Sequence, residues 1–223
     1  MVRKLCLYTI FVVVLLFSGC SVRVAAEPAL MNVLIDPGHG GTDGGAVAED
    51  GTLEKHINLA IGCFLRDMLR VGGVSVVMTR DTDVGLEDSD AVSIREKKVS
   101  DMHNRLQLYN SSQMVISIHQ NHFSVPKYHG AQVFYSGNHP HGASLASAIR
   151  SAVIEHLQPG NTRESKQADN GIYLLHHTEV PAVLVECGFL SNPDERSRLN
   201  DPAYQQKMAW TIMLGYWNYI QEN

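Results

Sequence analysis

The chain has 223 residues, of which 44% are hydrophobic and 18% are charged, and its formal charge is −5 at pH 7. Residues 1–30 hold three basic groups and one acidic group. The remainder therefore has 15 basic against 22 acidic side chains and a formal charge of −7. This balance argues against nucleic-acid binding, which needs a basic face for phosphate. The roughly 195 residues that remain suffice for one domain with a sizeable core, and no linker or repeat divides them.

The N-terminal segment predicts export from the cytoplasm. Two basic residues precede an apolar stretch over 5–17, whose length fits a secretory signal and is short for a membrane span. Cys20 ends a lipobox-like sequence, although a phenylalanine replaces the usual aliphatic residue three positions before it. Residues 24–26 form the small-residue pattern of ordinary cleavage, and an uncleaved anchor is the third alternative. All three make 1–30 a signal or anchor segment and place the domain over 31–223 outside the cytoplasm.

Alternating β and α patterns follow this leader. Short runs rich in β-branched residues predict buried strands over 32–35 and 74–78, up to His119, over 131–135 and up to Glu186. Apolar residues at helical spacing predict helices near 54–70, 94–110, 143–157 and 202–220, with a short helix after the turn at 191–193. The run over 171–175 fits either a strand or a packed loop. The alternation predicts one α/β domain with a mostly parallel central sheet flanked by helices on both faces.

Side chains within these elements lead to further predictions. We expect one face of the second helix to be buried, comprising Val99, Met102, Leu106 and Tyr109. Cys63 lies in the first helix and Cys187 follows a strand. Both are interpreted as small buried hydrophobes, and a disulfide between them is the alternative.

Three predicted strands lead into side chains that suit metal catalysis. His39 follows the first strand in a glycine-rich loop, and His119 and Glu186 end two later strands. Glu54 stands at the start of the first long helix. We expect these groups to meet, because ligand sites form at the carboxyl ends of parallel strands. A catalytic zinc often keeps two His and one Glu as ligands, a set that His39, Glu54 and His119 would supply. Glu186 would then serve as general base and acid.

Four blocks carry a resemblance to a known family: VLIDPGHGGTDGG (33–45), LEK (53–55), VISIHQN (115–121) and PAVLVECGFLSN (181–192). They resemble the zinc-dependent N-acetylmuramoyl-L-alanine amidases (amidase type 3) of bacterial cell walls. The resemblance implies one Zn²⁺ per chain, held by His39, Glu54 and His119, with Glu186 as the catalytic residue. It implies a three-layer, phosphorylase/hydrolase-like α/β fold. The implied reaction is hydrolysis of the amide that joins the lactyl group of muramic acid to the L-alanine of the peptidoglycan stem peptide.

Three stretches resemble one group within that family, the spore-cortex, CwlD-like germination amidases: 95–101, 130–135 and 170–174. These enzymes strip stem peptides so that muramic-δ-lactam can form. The resemblance therefore implies a location in the spore cortex or the intermembrane space of the forespore. It leaves open whether an accessory lipoprotein or a homodimer is needed. It limits membrane association to the leader, if the leader is retained or lipidated.

Several residues outside the ligand set also receive roles. Asn121 and Arg105 match family positions and are expected to contact substrate, with an ion-paired structural role as the alternative for Arg105 and for Arg80. Asp36 and Asp43 are interpreted as turn formers.

Two other functions stay open at this point. One is a non-catalytic wall-binding or regulatory protein, which the presence of all four catalytic groups argues against. The other is a zinc peptidase that cuts within the stem peptide, which only the family resemblance argues against. His122 and Cys187 depart from the family pattern, and neither departure removes a predicted ligand.

Overall fold

A computed structural model describes residues 32–223, so the predicted leader over 1–30, with Cys20, lies outside the described residues. Six strands form one sheet: β1 (Val33–Pro37), β2 (Val76–Met78), β3 (Met114–Asn121), β4 (Gln132–Tyr135), β5 (Lys166–Gln167) and β6 (Ala182–Phe189). Six helices accompany it: α1 (Glu54–Val71), α2 (Ile94–Asn110), α3 (Gly142–His156), α4 (Tyr173–His177), α5 (Pro193–Leu199) and α6 (Pro202–Glu222).

The strand order across the sheet is β2-β1-β3-β6-β4-β5. The first four strands in this order run parallel, and β4 pairs antiparallel with β6. Every residue of β1 is buried, as expected for a strand covered by helices on both faces. The predicted single α/β domain with a mostly parallel central sheet is therefore confirmed.

Two apolar clusters lie on opposite faces of the sheet. The larger one joins alternate residues of β1, β3 and β6 to the inner faces of α1, α3 and α6. The smaller one joins the other strand residues to α2 and α4. Since successive strand residues point to opposite faces, β1, β3 and β6 each contribute to both clusters. This arrangement leaves the carboxyl ends of the strands open between the two helical layers.

Two predictions about local structure are wrong. Residues 171–175, interpreted as a strand or packed loop, contribute to helix α4, because a single helical turn buries Leu174 and Leu175 against the sheet. Val99, expected on the buried face of α2, is 63% exposed. That helix instead buries Arg105 and Tyr109 completely, so its inner face is partly polar and is rotated away from Val99.

Among residues 32–223, no helix combines the length and the apolar character that crossing a membrane requires.

Candidate metal centre

The four side chains predicted to form the site converge at the carboxyl edge of the sheet. His39 lies two residues beyond β1, Glu54 is the first residue of α1, and His119 and Glu186 lie within β3 and β6. His119 and Glu186 are direct partners in the parallel pairing of these two strands. Adjacent strands are about 4.8 Å apart, so the pairing places Glu186 beside His119.

His39, Glu54 and His119 direct their ligating atoms towards one another. The Nε2 atom of His39 lies 3.2 Å from Oε2 of Glu54, and Nδ1 of His119 lies 3.0 Å from Oε1 of the same carboxylate. One ligating atom from each of the three residues can be chosen so that all three atoms lie within 4.8 Å of one another. A tetrahedral zinc ion with bonds of about 2.0–2.1 Å separates its ligand atoms by about 3.3 Å. The donor set and its spacing therefore fit a zinc ion.

The carboxylate of Glu54 is buried and held from several sides. The backbone N–H of Ala46 donates to Oε2 at 2.8 Å, and the backbone N–H of Gln120 donates to Oε1 at 3.0 Å. The side-chain amide of Asn58, one helical turn further along α1, adds a bond of 3.1 Å to Oε1. Burial raises the pKa of Glu54, but the two histidines outweigh burial and hold this pKa well below its usual range. The group is therefore a fixed anion facing two imidazoles.

His39 has an unusual backbone conformation, with φ at 63°, in a loop where two following glycines also have positive φ. Such a conformation is strained for a non-glycine residue and persists only where the surroundings enforce it. The ring of His39 bonds through Nδ1 to Oδ2 of Asp43 at 2.9 Å. Burial lowers the pKa of His39, but Asp43 and Glu54 outweigh this effect and raise it to about 9 in the metal-free site.

Two buried guanidinium groups hold the backbone of this loop. Arg80 donates to the carbonyl oxygens of Pro37 at 2.9 Å and Gly38 at 3.0 Å. Arg105 donates to the carbonyl oxygen of His39 at 2.8 Å. Three successive carbonyl groups are therefore bonded to arginine, which explains how the strained conformation is maintained.

The expected substrate contact by Arg105 does not fit its position. Its side chain is 1% exposed, and its remaining N–H groups donate to Asp36, Asp101 and Pro37. All donors of the guanidinium thus bond within the protein, which agrees with the ion-paired structural alternative. Asp36 is not a local turn former either. Its buried carboxylate accepts bonds from side chains that are distant in sequence: Arg105, Thr79, Tyr109 and Ser117.

Two glycines leave the space that the centre occupies. A Cβ atom on Gly45 would lie 2.6 Å from Oε2 of Glu54 and 2.6 Å from Cδ2 of His39. A Cβ atom on Gly38 would lie 2.2 Å from Nε2 of His119. His119 thus packs its Nε2 edge against Gly38 and turns Nδ1 towards Glu54. The glycine-rich sequence around His39 is required by these close contacts.

The side chain of Glu186 is half-buried, but its Oε2 atom is buried and has no hydrogen-bond partner within the described residues. Burial raises the pKa of Glu186 to about 7, with His119 opposing the shift and Glu54 adding to it. Carboxylates with a pKa raised in this way are typical of groups that exchange protons near neutral pH. The buried oxygen without a partner marks a place where a polar reactant would bind.

The other predicted residues lie around this centre. Asn121 ends β3 with its side chain half-buried, and His122 is exposed beyond it. Cys187 is fully buried next to Glu186, and burial raises the pKa of its thiol well above the usual range. Cys63 and Cys187 are both free, so they form no disulfide in the part of the chain that the structure describes. A buried, protonated thiol agrees with the interpretation of Cys187 as a small hydrophobe.

Asn58 and the ring contact of Asp43 escaped the sequence analysis. Asn58 stands four residues after Glu54 on a predicted helix, and that spacing alone indicates that the two side chains are neighbours. Asp43 also stands four residues after the histidine that it contacts. It lies in a loop, however, where spacing does not determine which side chains meet.

Two imidazoles and two carboxylates at the carboxyl edge of a mostly parallel sheet define a hydrolase whose centre can hold a metal ion. The sequence over 33–216 matches the family described as N-acetylmuramoyl-L-alanine amidase, and the chain belongs to this family.

Individual relatives agree with this assignment. The chain is 38% identical over 192 residues to the germination-specific N-acetylmuramoyl-L-alanine amidase of Bacillus subtilis, covering 85% of this chain and 80% of that protein. The CwlD amidase of Clostridioides difficile, solved in complex with the GerS lipoprotein, is 38% identical with a TM-score of 0.83, over 86% of this chain and 100% of that one. The amidase AmiC2 of Nostoc punctiforme is 30% identical with a TM-score of 0.69, over 86% and 97%.

Proposed function

We propose that this protein is a zinc-dependent amidase that cleaves the bond between muramic acid and L-alanine in peptidoglycan. His39, Glu54 and His119 would hold the metal, and Glu186 would transfer protons. The observation that carries the proposal is the convergence of one ligating atom from each of three residues beside a half-buried carboxylate. The two histidine nitrogens lie 3.2 and 3.0 Å from the carboxylate oxygens of Glu54. Membership of the amidase family supports the same reaction.

Zinc bound at this site would supply a Lewis acid that polarises the amide carbonyl and acidifies the attacking water. The protein supplies proton transfer. With its pKa raised to about 7, Glu186 can take the proton of the attacking water and return it to the nitrogen of the departing L-alanine. The cost of its desolvation is already met in the folded state, so the group is held ready without a further rearrangement.

The names of the relatives support a narrower role. One is a germination-specific amidase, and another is the CwlD amidase. We infer that this protein has the same role, which is the removal of stem peptides from spore-cortex glycan before muramic-δ-lactam formation. That role requires residues 1–30 to deliver the domain across a membrane, as a cleaved signal, a lipidated segment or an anchor. The domain would then act in the cortex or the intermembrane space of the forespore.

An accessory lipoprotein belongs to this proposal, because the Clostridioides difficile relative was solved in complex with one. A homodimer is the alternative assembly. Analytical ultracentrifugation of the zinc-loaded protein tests the homodimer: a dimer supports that assembly, and a monomer excludes it.

The function is tested by incubating purified residues 27–223 with cortex peptidoglycan, with and without zinc, followed by mass spectrometry of the products. An amidase releases stem peptides that begin with a free L-alanine amine and leaves unsubstituted muramic acid. A peptidase acting within the stem peptide leaves L-alanine attached to muramic acid. A wall-binding protein releases nothing but sediments with the glycan. The peptidase result would contradict the proposal, and so would sedimentation without release when the accessory lipoprotein is also present.

A further inference from the structure

Asp43 uses both of its carboxylate oxygens within the loop that carries His39. Oδ2 lies 2.9 Å from Nδ1 of His39, and Oδ1 accepts the backbone N–H of Gly45 at 3.0 Å. We propose that Asp43 is a positioning residue that fixes the tautomer and the ring orientation of His39, so that Nε2 presents its lone pair to the metal. This inference rests on the proposed zinc site, and it assigns Asp43 a role beyond that of a turn former.

The chemistry of the two side chains determines which nitrogen carries the proton. An ionised carboxylate only accepts hydrogen bonds, so Nδ1 of a neutral His39 must carry the hydrogen that faces Asp43. Nε2 is then the unprotonated nitrogen, and it faces Oε2 of Glu54 at 3.2 Å. Histidines that bind metals commonly donate the other ring N–H to a carboxylate, which fixes the tautomer and the orientation of the ring.

The turn itself does not depend on the side chain of Asp43. Gly40 and Asp43 exchange two backbone hydrogen bonds, each 3.0 Å long, that close the loop between them. Arg80 and Arg105 hold the carbonyl groups further back in the same loop. A change confined to the carboxylate of Asp43 should therefore leave the path of the backbone in place.

Asparagine at this position separates the two roles. Its single oxygen can accept from Gly45, but its NH₂ group then faces Nδ1 of His39. Nδ1 must become the acceptor, which moves the ring proton to Nε2, where it blocks the lone pair needed by the metal. The opposite amide orientation places the NH₂ group against the N–H of Gly45. A carboxylate is therefore the group that satisfies both neighbours.

The chain contains a matched control at Asp169. There too an aspartate precedes a glycine by two positions, and Oδ1 of Asp169 accepts the N–H of Gly171 at 2.8 Å. Asp169 is exposed, and it is not among the residues that form the metal centre. Asp169→Asn therefore makes the same chemical change in the same kind of turn, away from His39.

The first test measures zinc affinity by competition with a chromogenic chelator for wild type, Asp43→Asn and Asp169→Asn, together with the melting temperature of each metal-free protein. Asp43→Asn should weaken zinc binding by about 10–100-fold, and Asp169→Asn should leave the affinity unchanged. Both variants should melt in a single cooperative transition, which shows that each is folded. Zinc affinity of Asp43→Asn within twofold of wild type would overturn the inference, and so would an equal loss in both variants.

A second measurement on the wild-type protein does not depend on the variant folding. Nitrogen-15 NMR of the zinc-loaded protein reports which ring nitrogen of His39 is protonated, with the signals assigned by comparison with Asp43→Asn or, if that variant does not fold, by triple-resonance methods. Protonated Nδ1 with metal-bound Nε2 is the expected result, and the reverse assignment would overturn the inference. If the wild-type protein binds no zinc at all, the proposed zinc site itself is wrong. Intact zinc binding by Asp43→Asn is a different result, because it would overturn only the role of Asp43.

Discussion

The hydroxyl of Tyr109 donates a hydrogen bond of 2.6 Å to the fully buried carboxylate of Asp36 and thereby joins helix α2 to strand β1, which leads into the loop that carries His39. Burial raises the pKa of Tyr109 well above its usual value, and the Asp36 carboxylate adds to this effect, so the hydroxyl stays protonated and remains a donor. Arg105 is the charged partner of the same carboxylate. The support of the metal centre thus extends into the opposite helical layer.

Tyr109→Phe should lower the free energy of unfolding by about 1.5–3 kcal/mol, because it leaves a buried charged acceptor short of one hydrogen bond. Urea unfolding of the metal-free protein measures this change. Tyr173→Phe is the control, since the side chain of Tyr173 is 40% exposed and its substitution should change the stability little. Equal stability of Tyr109→Phe and wild type would show that the hydrogen bond contributes nothing.

Gly45→Ala should abolish zinc binding and activity, because the added Cβ atom would lie 2.6 Å from both Glu54 and His39. Gly51→Ala is the matched control. Both glycines have positive φ, at 68° and 86°, so both substitutions carry backbone strain of about 1–2 kcal/mol. A Cβ atom on Gly51 would meet nothing within 4 Å, so this variant should bind zinc normally. Calorimetric titration with zinc compares the two variants. If both lose zinc binding to the same extent, backbone strain alone explains the effect.

Glu186→Ala should lose hydrolysis and keep zinc, whereas His119→Ala should lose both. The first substitution removes the proton-transfer group, and the second removes a ligand beside Glu54. Metal content by inductively coupled plasma mass spectrometry, together with peptide release, distinguishes the two outcomes. Substantial hydrolysis by zinc-loaded Glu186→Ala would rule out the assigned role of Glu186.

Glu186→Gln should stabilise the metal-free protein at pH 8 but not at pH 5. Burial raises the pKa of Glu186 from 4.5 to about 7 in the folded protein. Between these values the folded state holds a proton that the unfolded state has released, so stability falls as pH rises and the loss is complete above pH 7. The full difference is at most about 3 kcal/mol, and the neutral glutamine avoids it.

Thermal unfolding in a chelating buffer at the two pH values measures this effect. Glu179→Gln is the control, because Glu179 is exposed on the surface. Equal melting temperatures of wild type and Glu186→Gln at pH 8 would mean that the ionised carboxylate of Glu186 does not destabilise the folded protein. A gain in stability accompanied by loss of activity would show that the site sacrifices stability for function.

The predicted elements succeeded where the local pattern was strong. Helix α2 was predicted over 94–110 and has those bounds, because it has a capping Ser93 and a continuous helical sequence. The two-residue strand β5 and the single-turn helix α4 were missed. Elements of that length have too few residues for a period to be recognised, and contacts with the sheet decide their conformation.

The sequence by itself determined the order of the longer strands and helices, the family, and the four side chains expected to meet at the carboxyl edge of the sheet. These properties depend on local periodicity and on motifs that are continuous in the chain. Only the tertiary structure decided what the charged residues beneath the site do. Arg105 was expected at the substrate and Asp36 in a local turn, yet they meet each other across 69 positions of sequence in the protein interior. A buried charge needs a partner wherever the fold provides one, and no local pattern encodes a contact made at that separation.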